Sequence, residues 1–170
     1  KLEATTQPPV ADNTPPSWTV GYPKTSAITQ IGFDLLFNAD ENGTAYYVVL
    51  TDGAATPTAA EVKAGTGSGG NTPEVFGSQA LVANTETSAT ISGLTAATPY
   101  DIYVVAEDGS GNLQPSPEKL EVTTSPPADP PPVWARSYPS VTAITESSLK
   151  LLLKANEAGT AYCVALTHGA

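Results

Sequence analysis

Apolar and polar residues alternate from Gln30 to Asn38, so that Ile31, Phe33, Leu35 and Phe37 fall on one side of an extended chain. This period of two predicts a half-buried strand B. Shorter β-rich runs predict strand A around Trp18 to Tyr22 and strand C from Thr44 to Thr51. Strands E, F and G are expected at about Ala89 to Ile91, Tyr100 to Glu107 and Lys119 to Thr124. Asn42-Gly43 would join B to C as the positive-φ pair of a tight hairpin, and Asp108-Gly109-Ser110-Gly111-Asn112 would turn F into G. One segment breaks the pattern. Thr58 and Glu61 are spaced as a capping box and Gly65 stands where a helix would stop, which predicts one or two helical turns between C and an edge strand C′ near Pro73 to Gln79. Short strands with a turn signal about every ten residues predict an all-β Greek-key sandwich with a short helical insert between C and C′.

The same pattern then returns. Trp18 to Ala54 aligns without a gap on Trp134 to Ala170, a shift of 116 residues, with 19 of 37 positions identical. The opening Lys1-Leu2-Glu3-Ala4-Thr5-Thr6 matches Lys119-Leu120-Glu121-Val122-Thr123-Thr124. A repeat with that period divides the chain into a last strand (1–6), a Pro-rich linker (7–16), a complete repeat (17–124), a second Pro-rich linker (125–132) and strands A to C of another repeat (133–170). Proline runs such as Pro130-Pro131-Pro132 favour stiff, extended spacers. The chain starts at Lys1 and has no methionine, so it is expected to be an internal or processed segment of a longer protein.

Composition narrows the possible partners. Seven Lys and Arg against 17 Asp and Glu give a net charge of −10, which disfavours nucleic-acid backbones and anionic membranes. No apolar run is long enough to span a bilayer, so membrane insertion is not expected. Cys163 is the only cysteine and stands where the complete repeat has Tyr47, so it reads as a small apolar strand residue. His168, the only histidine, replaces Asp52. Gly65, Gly67 and Gly70 can be spelled as a dinucleotide pattern, but they follow a helix-like segment instead of opening one, the reverse of the required context. No catalytic constellation is legible, and neither catalysis nor an organic cofactor is expected.

Ile91-Ser92-Gly93-Leu94-Thr95-Ala96-Ala97-Thr98-Pro99-Tyr100 resembles the strand E to strand F corner of fibronectin type III domains. Tyr103-Val104-Val105-Ala106-Glu107-Asp108 with Pro115-Ser116-Pro117 resembles the F to G hairpin of such modules in microbial secreted and surface proteins. The resemblance covers essentially the complete repeat. It implies that Leu94, Thr98 and Tyr100 anchor a tyrosine corner, with the Tyr100 hydroxyl returned to upstream backbone. The chain departs from the pattern in placing Trp18 before strand B and in the C to C′ insert.

Sandwich topology would gather the B to C turn, the F to G turn and the preceding linker at one end. Asp12, Asp40, Glu41, Asp108 and Asn112 are therefore expected to converge there as oxygen ligands of the kind calcium takes. Asn42-Gly43-Thr44 is an N-glycosylation acceptor pattern, replaced by Ala158-Gly159-Thr160 in the second copy. Trp18 and Trp134 recur beside prolines, which suits packing at a junction better than stacking on sugars.

The expected function is a structural repeat of an extracellular stalk, filament or adhesin, whose partners are neighbouring repeats or copies of the same protein. Two alternatives follow from the same residues. The first is an accessory spacer of a secreted polysaccharide-degrading enzyme. The second is a subunit that polymerises by exchanging strands between chains.

Overall fold

The computed structural model describes residues 12–166, which form two compact units, one ending at Pro127 and one starting at Ala128. The matches expected at Lys1 to Thr6 and at His168 lie outside the described residues.

Unit 1 is an all-β sandwich. Its strands are β1 (Lys24–Ser26), β2 (Gly32–Phe37), β3 (Gly43–Thr51), β4 (Val75–Leu81), β5 (Thr87–Ser92), β6 (Pro99–Asp108) and β7 (Glu118–Thr123). One sheet has the order β1-β2-β5 and the other β4-β3-β6-β7, with every pairing antiparallel. Phe33, Leu35 and Phe37 of β2 meet Ala45, Tyr47 and Val49 of β3 and Ile102, Val104 and Ala106 of β6 in the buried layer between the sheets. Alternation along each strand is what supplies this layer.

The outer face of the larger sheet is also covered. Val48 and Leu50 of β3 and Tyr103 and Val105 of β6 pack under Ala59 and Val62 of the helix α1 (Ala59–Lys63). The helix starts as the sequence predicts: Thr58 Oγ1 accepts the Glu61 N–H at 3.3 Å, and a Glu61 carboxylate oxygen accepts the Thr58 N–H at 2.7 Å. It stops at Gly65, whose φ of +73° is a left-handed conformation that glycine adopts without penalty.

Two expectations need correcting. No β-hairpin joins β2 to β3, because β2 pairs with β1 and β5 while β3 pairs with β4 and β6. The connection crosses between the sheets, and neither Asn42 nor Gly43 has a positive φ. Gly43 is glycine for another reason: a Cβ there would lie 2.2 Å from the Glu107 carbonyl oxygen of β6. The first strand is also displaced. Trp18 makes only an isolated bridge to Ala39, the chain turns at Gly21 (φ +84°), and regular pairing begins at Lys24 opposite Leu36. A left-handed residue interrupts what the apolar residues would otherwise continue, and Ser137 at the matching place of unit 2 takes the same sign of φ (+70°).

Unit 2 repeats the beginning of this arrangement. Strands β8 (Ser140–Thr142) and β9 (Lys150–Leu152) pair antiparallel, and Trp134 bridges Ala155 as Trp18 bridges Ala39. The Tyr22-Pro23 and Tyr138-Pro139 peptide bonds are both cis. Residues 159–166, which correspond to β3 and were expected as a strand C, form no strand. A strand needs a ladder partner, and no counterpart of β4 or β6 faces this segment among the described residues.

Substituting Gly43→Ala should lower the stability of unit 1 by about 1–3 kcal/mol, as overpacking against an immovable backbone does. Urea unfolding followed by Trp fluorescence measures this, and an unchanged midpoint would show that β3 and β6 can separate locally without cost.

Candidate functional site

The end of unit 1 that carries the β2 to β3 and β6 to β7 turns gathers acidic side chains. Asp12, Glu41 and Asp108 each bring a carboxylate oxygen to within 4.8 Å of the others. Asp108 ends β6 and is buried, and its turn is built around it. Its Oδ1 accepts the N–H groups of Ser110 and Asn112, both at 2.8 Å, and its Oδ2 accepts the Asn112 side-chain amide at 2.7 Å. That amide also donates to the Asp12 carbonyl at 3.2 Å, which holds the incoming chain beside the turn.

The remaining two of the five expected ligands serve other ends. Asp40 Oδ1 accepts the Ser17 N–H at 2.8 Å, and Asn112 presents N–H donors to the cluster. Of the five expected ligands, the geometry brings the carboxylates of Asp12, Glu41 and Asp108 together, oxygen donors of the type a hard divalent cation takes. Thr14 occupies part of Asp12 by donating both its N–H and its hydroxyl to Oδ1.

Charge in this cluster is unevenly tolerated. Burial, together with the like charges of Asp12, Asp108 and Asp40, raises the Glu41 carboxyl above its ordinary value. Burial acts the same way on Asp108, but the N–H donors of Asn112, Ser110 and Gly111 outweigh it and leave that carboxyl below its ordinary value.

The other singled-out residues take structural places. The Tyr100 hydroxyl accepts the Thr95 N–H at 3.0 Å, Leu94 is buried, and the Thr98 N–H donates to Thr124 Oγ1 at 3.0 Å. Trp18 is half-buried on its own unit's core, its ring centroid 6.1 Å from that of Phe37. Trp134 is 44% exposed and lines an open groove of unit 2 together with Leu153 and Tyr162. Asn42 is exposed, and its side-chain carbonyl accepts the Ala83 N–H at 2.9 Å.

Two polar residues escaped the sequence reading. Gln114 is buried, accepts the Ala106 N–H at 2.9 Å and donates to the Pro16 carbonyl at 2.8 Å, which fastens the incoming chain to β6. Asp101 is fully buried in β6, accepts the Gly53 N–H at 3.2 Å and pairs with Lys119 at 2.9 Å. The signal for Asp101 was present. It is a lone charge inside the run Tyr100-Asp101-Ile102-Tyr103-Val104-Val105, on the face that the insert covers. The Asp101 and Glu121 carboxylates hold the Lys119 ammonium well above its ordinary value.

Among the described residues, no helix is long and apolar enough to cross a membrane. A stretch of 53 residues, 31% of this chain, is 49% identical to chitinase D of Niallia circulans and covers 10% of that protein. The chain thus spans a small part of this relative's length. No protein-family model and no solved structure matches the chain.

Glu41 and Asp108 contribute to the pH dependence with opposite signs, and the contribution of Glu41 can be isolated by substitution. Because its carboxyl is raised in the folded state, the fold holds that proton more tightly than the unfolded chain does. The associated stability is present at low pH and is lost as pH rises through the folded value. Replacing Glu41→Gln should therefore raise the urea midpoint at pH 7, and the gain should fade near pH 3.5, where the parent carboxyl is also neutral. It should also shrink in 0.5 M NaCl. A variant less stable than the parent at pH 7 would overturn the repulsion argument.

Proposed function

We propose that this chain is a non-catalytic accessory module of a secreted polysaccharide-degrading enzyme. In this reading it is a fibronectin type III-like repeat that separates catalytic and carbohydrate-binding parts. The observation that carries the reading is the 49% identity, over 53 residues, to chitinase D of Niallia circulans. The matched stretch is 10% of that protein, the proportion of an added module and too short for a catalytic domain.

The physical character of unit 1 supports the same role. Its large apolar side chains fill two cores, one between the sheets and one under α1, so the unit stands by itself at the end of a linker. Trp18 is packed on Phe37 and does not form an open platform for a sugar ring. The Pro-rich segment 125–132 following unit 1 is suited to holding neighbours apart. The stalk and filament reading draws on the same features, but the resemblance to an enzyme of polysaccharide breakdown favours the spacer.

The test places this chain between a chitinase catalytic domain and a carbohydrate-binding module and compares that enzyme with one whose two parts are joined directly. Hydrolysis of insoluble chitin should change while cleavage of short soluble chito-oligosaccharides stays the same, since a spacer alters reach and not chemistry. The isolated chain should release no reducing sugar from chitin. Release by the chain alone, or equal rates on insoluble chitin with and without it, would refute the proposal.

A further inference from the structure

The insert between β3 and β4 does more than cover the larger sheet. Beside α1 it encloses a cavity of about 320 Å³, at the small end of the range ligand sites occupy. Leu50 supplies an apolar wall, and Thr51, Ser68, Asn71, Thr72 and Glu74 line the rest with polar side chains. Other polar side chains of the insert are spent on holding it together. Thr58 and Glu61 cap the helix, Thr66 Oγ1 donates to the Glu61 carbonyl at 3.2 Å, and the second Glu61 carboxylate oxygen accepts the Gly69 N–H at 2.7 Å. The Gly67 N–H closes the loop on the Asn71 carbonyl at 2.7 Å. By contrast, none of the five polar side chains lining the cavity is hydrogen-bonded or ion-paired to another group among the described residues. The wall is therefore fixed while its hydrogen-bonding groups stay available to a ligand.

The chemistry of the lining narrows what that ligand is. Glu74 carries the only charge and no Lys or Arg lines the cavity, so a phosphate or other anion is disfavoured. A purely apolar ligand would strip water from the hydroxyl and amide groups and return no hydrogen bonds. A neutral polyhydroxyl compound meets both conditions. Beside the cavity stands an aromatic ring. Phe76 lies two positions beyond Glu74 on the same face of β4, about 7 Å along the strand, and is 62% exposed. The ring is seated on backbone: Gly65 has no side chain, and a Cβ there would lie 2.6 Å from Phe76 Cδ2. Gly67 makes a similar close approach, since a Cβ there would lie 3.1 Å from Leu50 Cδ2. The glycine spacing that mimics a dinucleotide pattern thus serves the ring and the cavity wall. A pyranose presents C–H groups on its face and hydroxyls at its rim, which suits an open aromatic ring next to hydrogen-bonding side chains.

We propose that the cavity and the Phe76 ring together bind a neutral polysaccharide chain. One sugar unit is hydrogen-bonded by Thr51, Asn71 and Glu74, and a neighbouring unit stacks on Phe76. This rests on the reading of the chain as an accessory module of a polysaccharide-degrading enzyme, and adds that the module itself touches the polymer.

The experiment titrates the full chain with chitohexaose and follows the backbone amide resonances. Amides of Thr51, of 68–72 and of 74–78 should shift together and saturate, while those of the acidic cluster stay in place. Phe76→Ala and Asn71→Ala should each weaken binding by about fivefold or more, the order of one lost contact. Phe76→Tyr should keep the affinity, which separates loss of the ring from disturbance of the strand. Three results would overturn the proposal: no saturable shift at these amides, shifts confined to other parts of the chain, or unchanged affinity in both alanine variants. Absence of binding by a module that still alters hydrolysis of insoluble chitin would overturn this proposal alone. Absence of both effects would also remove the reading on which it rests.

Discussion

The pairing of β3 with β6 is the constraint on which the rest of unit 1 depends. Their register runs from Gly43 opposite Asp108 to Thr51 opposite Tyr100, and both strands have apolar residues on both faces. A strand pair buried on both sides needs two covering layers, which are the β1-β2-β5 sheet on one side and the α1 insert on the other. The β6 strand also carries the polar anchors of unit 1. Asp108 organises the turn that follows it, Tyr100 the corner that precedes it, and Asp101 the return of the chain at Gly53. At Gly43 the two backbones of this central pair approach so closely that no Cβ fits between them.

Most of the fold was legible in the sequence because its signals are local. The Thr58 and Glu61 spacing marked the helix start, alternation marked β2, a β-rich run marked β3, and Leu94 with Tyr100 marked the corner. The crossing from β2 to β3 was not legible, since alternating residues joined by Asn42-Gly43 suit a hairpin equally well. What decides between them is which other strands compete for each edge, and that is a property of the whole sheet. Propensity cannot show it.

The acidic cluster was legible in part for the same kind of reason. Topology brings Asp12, Glu41 and Asp108 together, so placing turns in a sandwich was enough to find them. Asp40 and Asn112 stand beside the cluster and spend side-chain atoms on hydrogen bonds, Asp40 accepting the Ser17 N–H and Asn112 donating to Asp108 Oδ2 and to the Asp12 carbonyl. Gln114 could not have been found by pattern. A glutamine beside Pro115 has no signature, and its burial follows from Pro16 and Ala106 arriving from distant parts of the chain.

The attachment of the flanking segments has a mechanical consequence. The incoming chain is fastened at Pro16, beside the end of β6 that carries Asp108, whereas the outgoing chain leaves at Ser125, whose N–H donates to the Thr29 carbonyl and whose carbonyl accepts the Ala97 N–H. These anchorages lie near opposite ends of β6, a ten-residue strand about 34 Å long. Tension applied through the two flanks therefore runs along the strands and shears their ladders. Hydrogen bonds in such a ladder share the force and yield together, so the unit resists being drawn out far better than it would if its strands were peeled from one end.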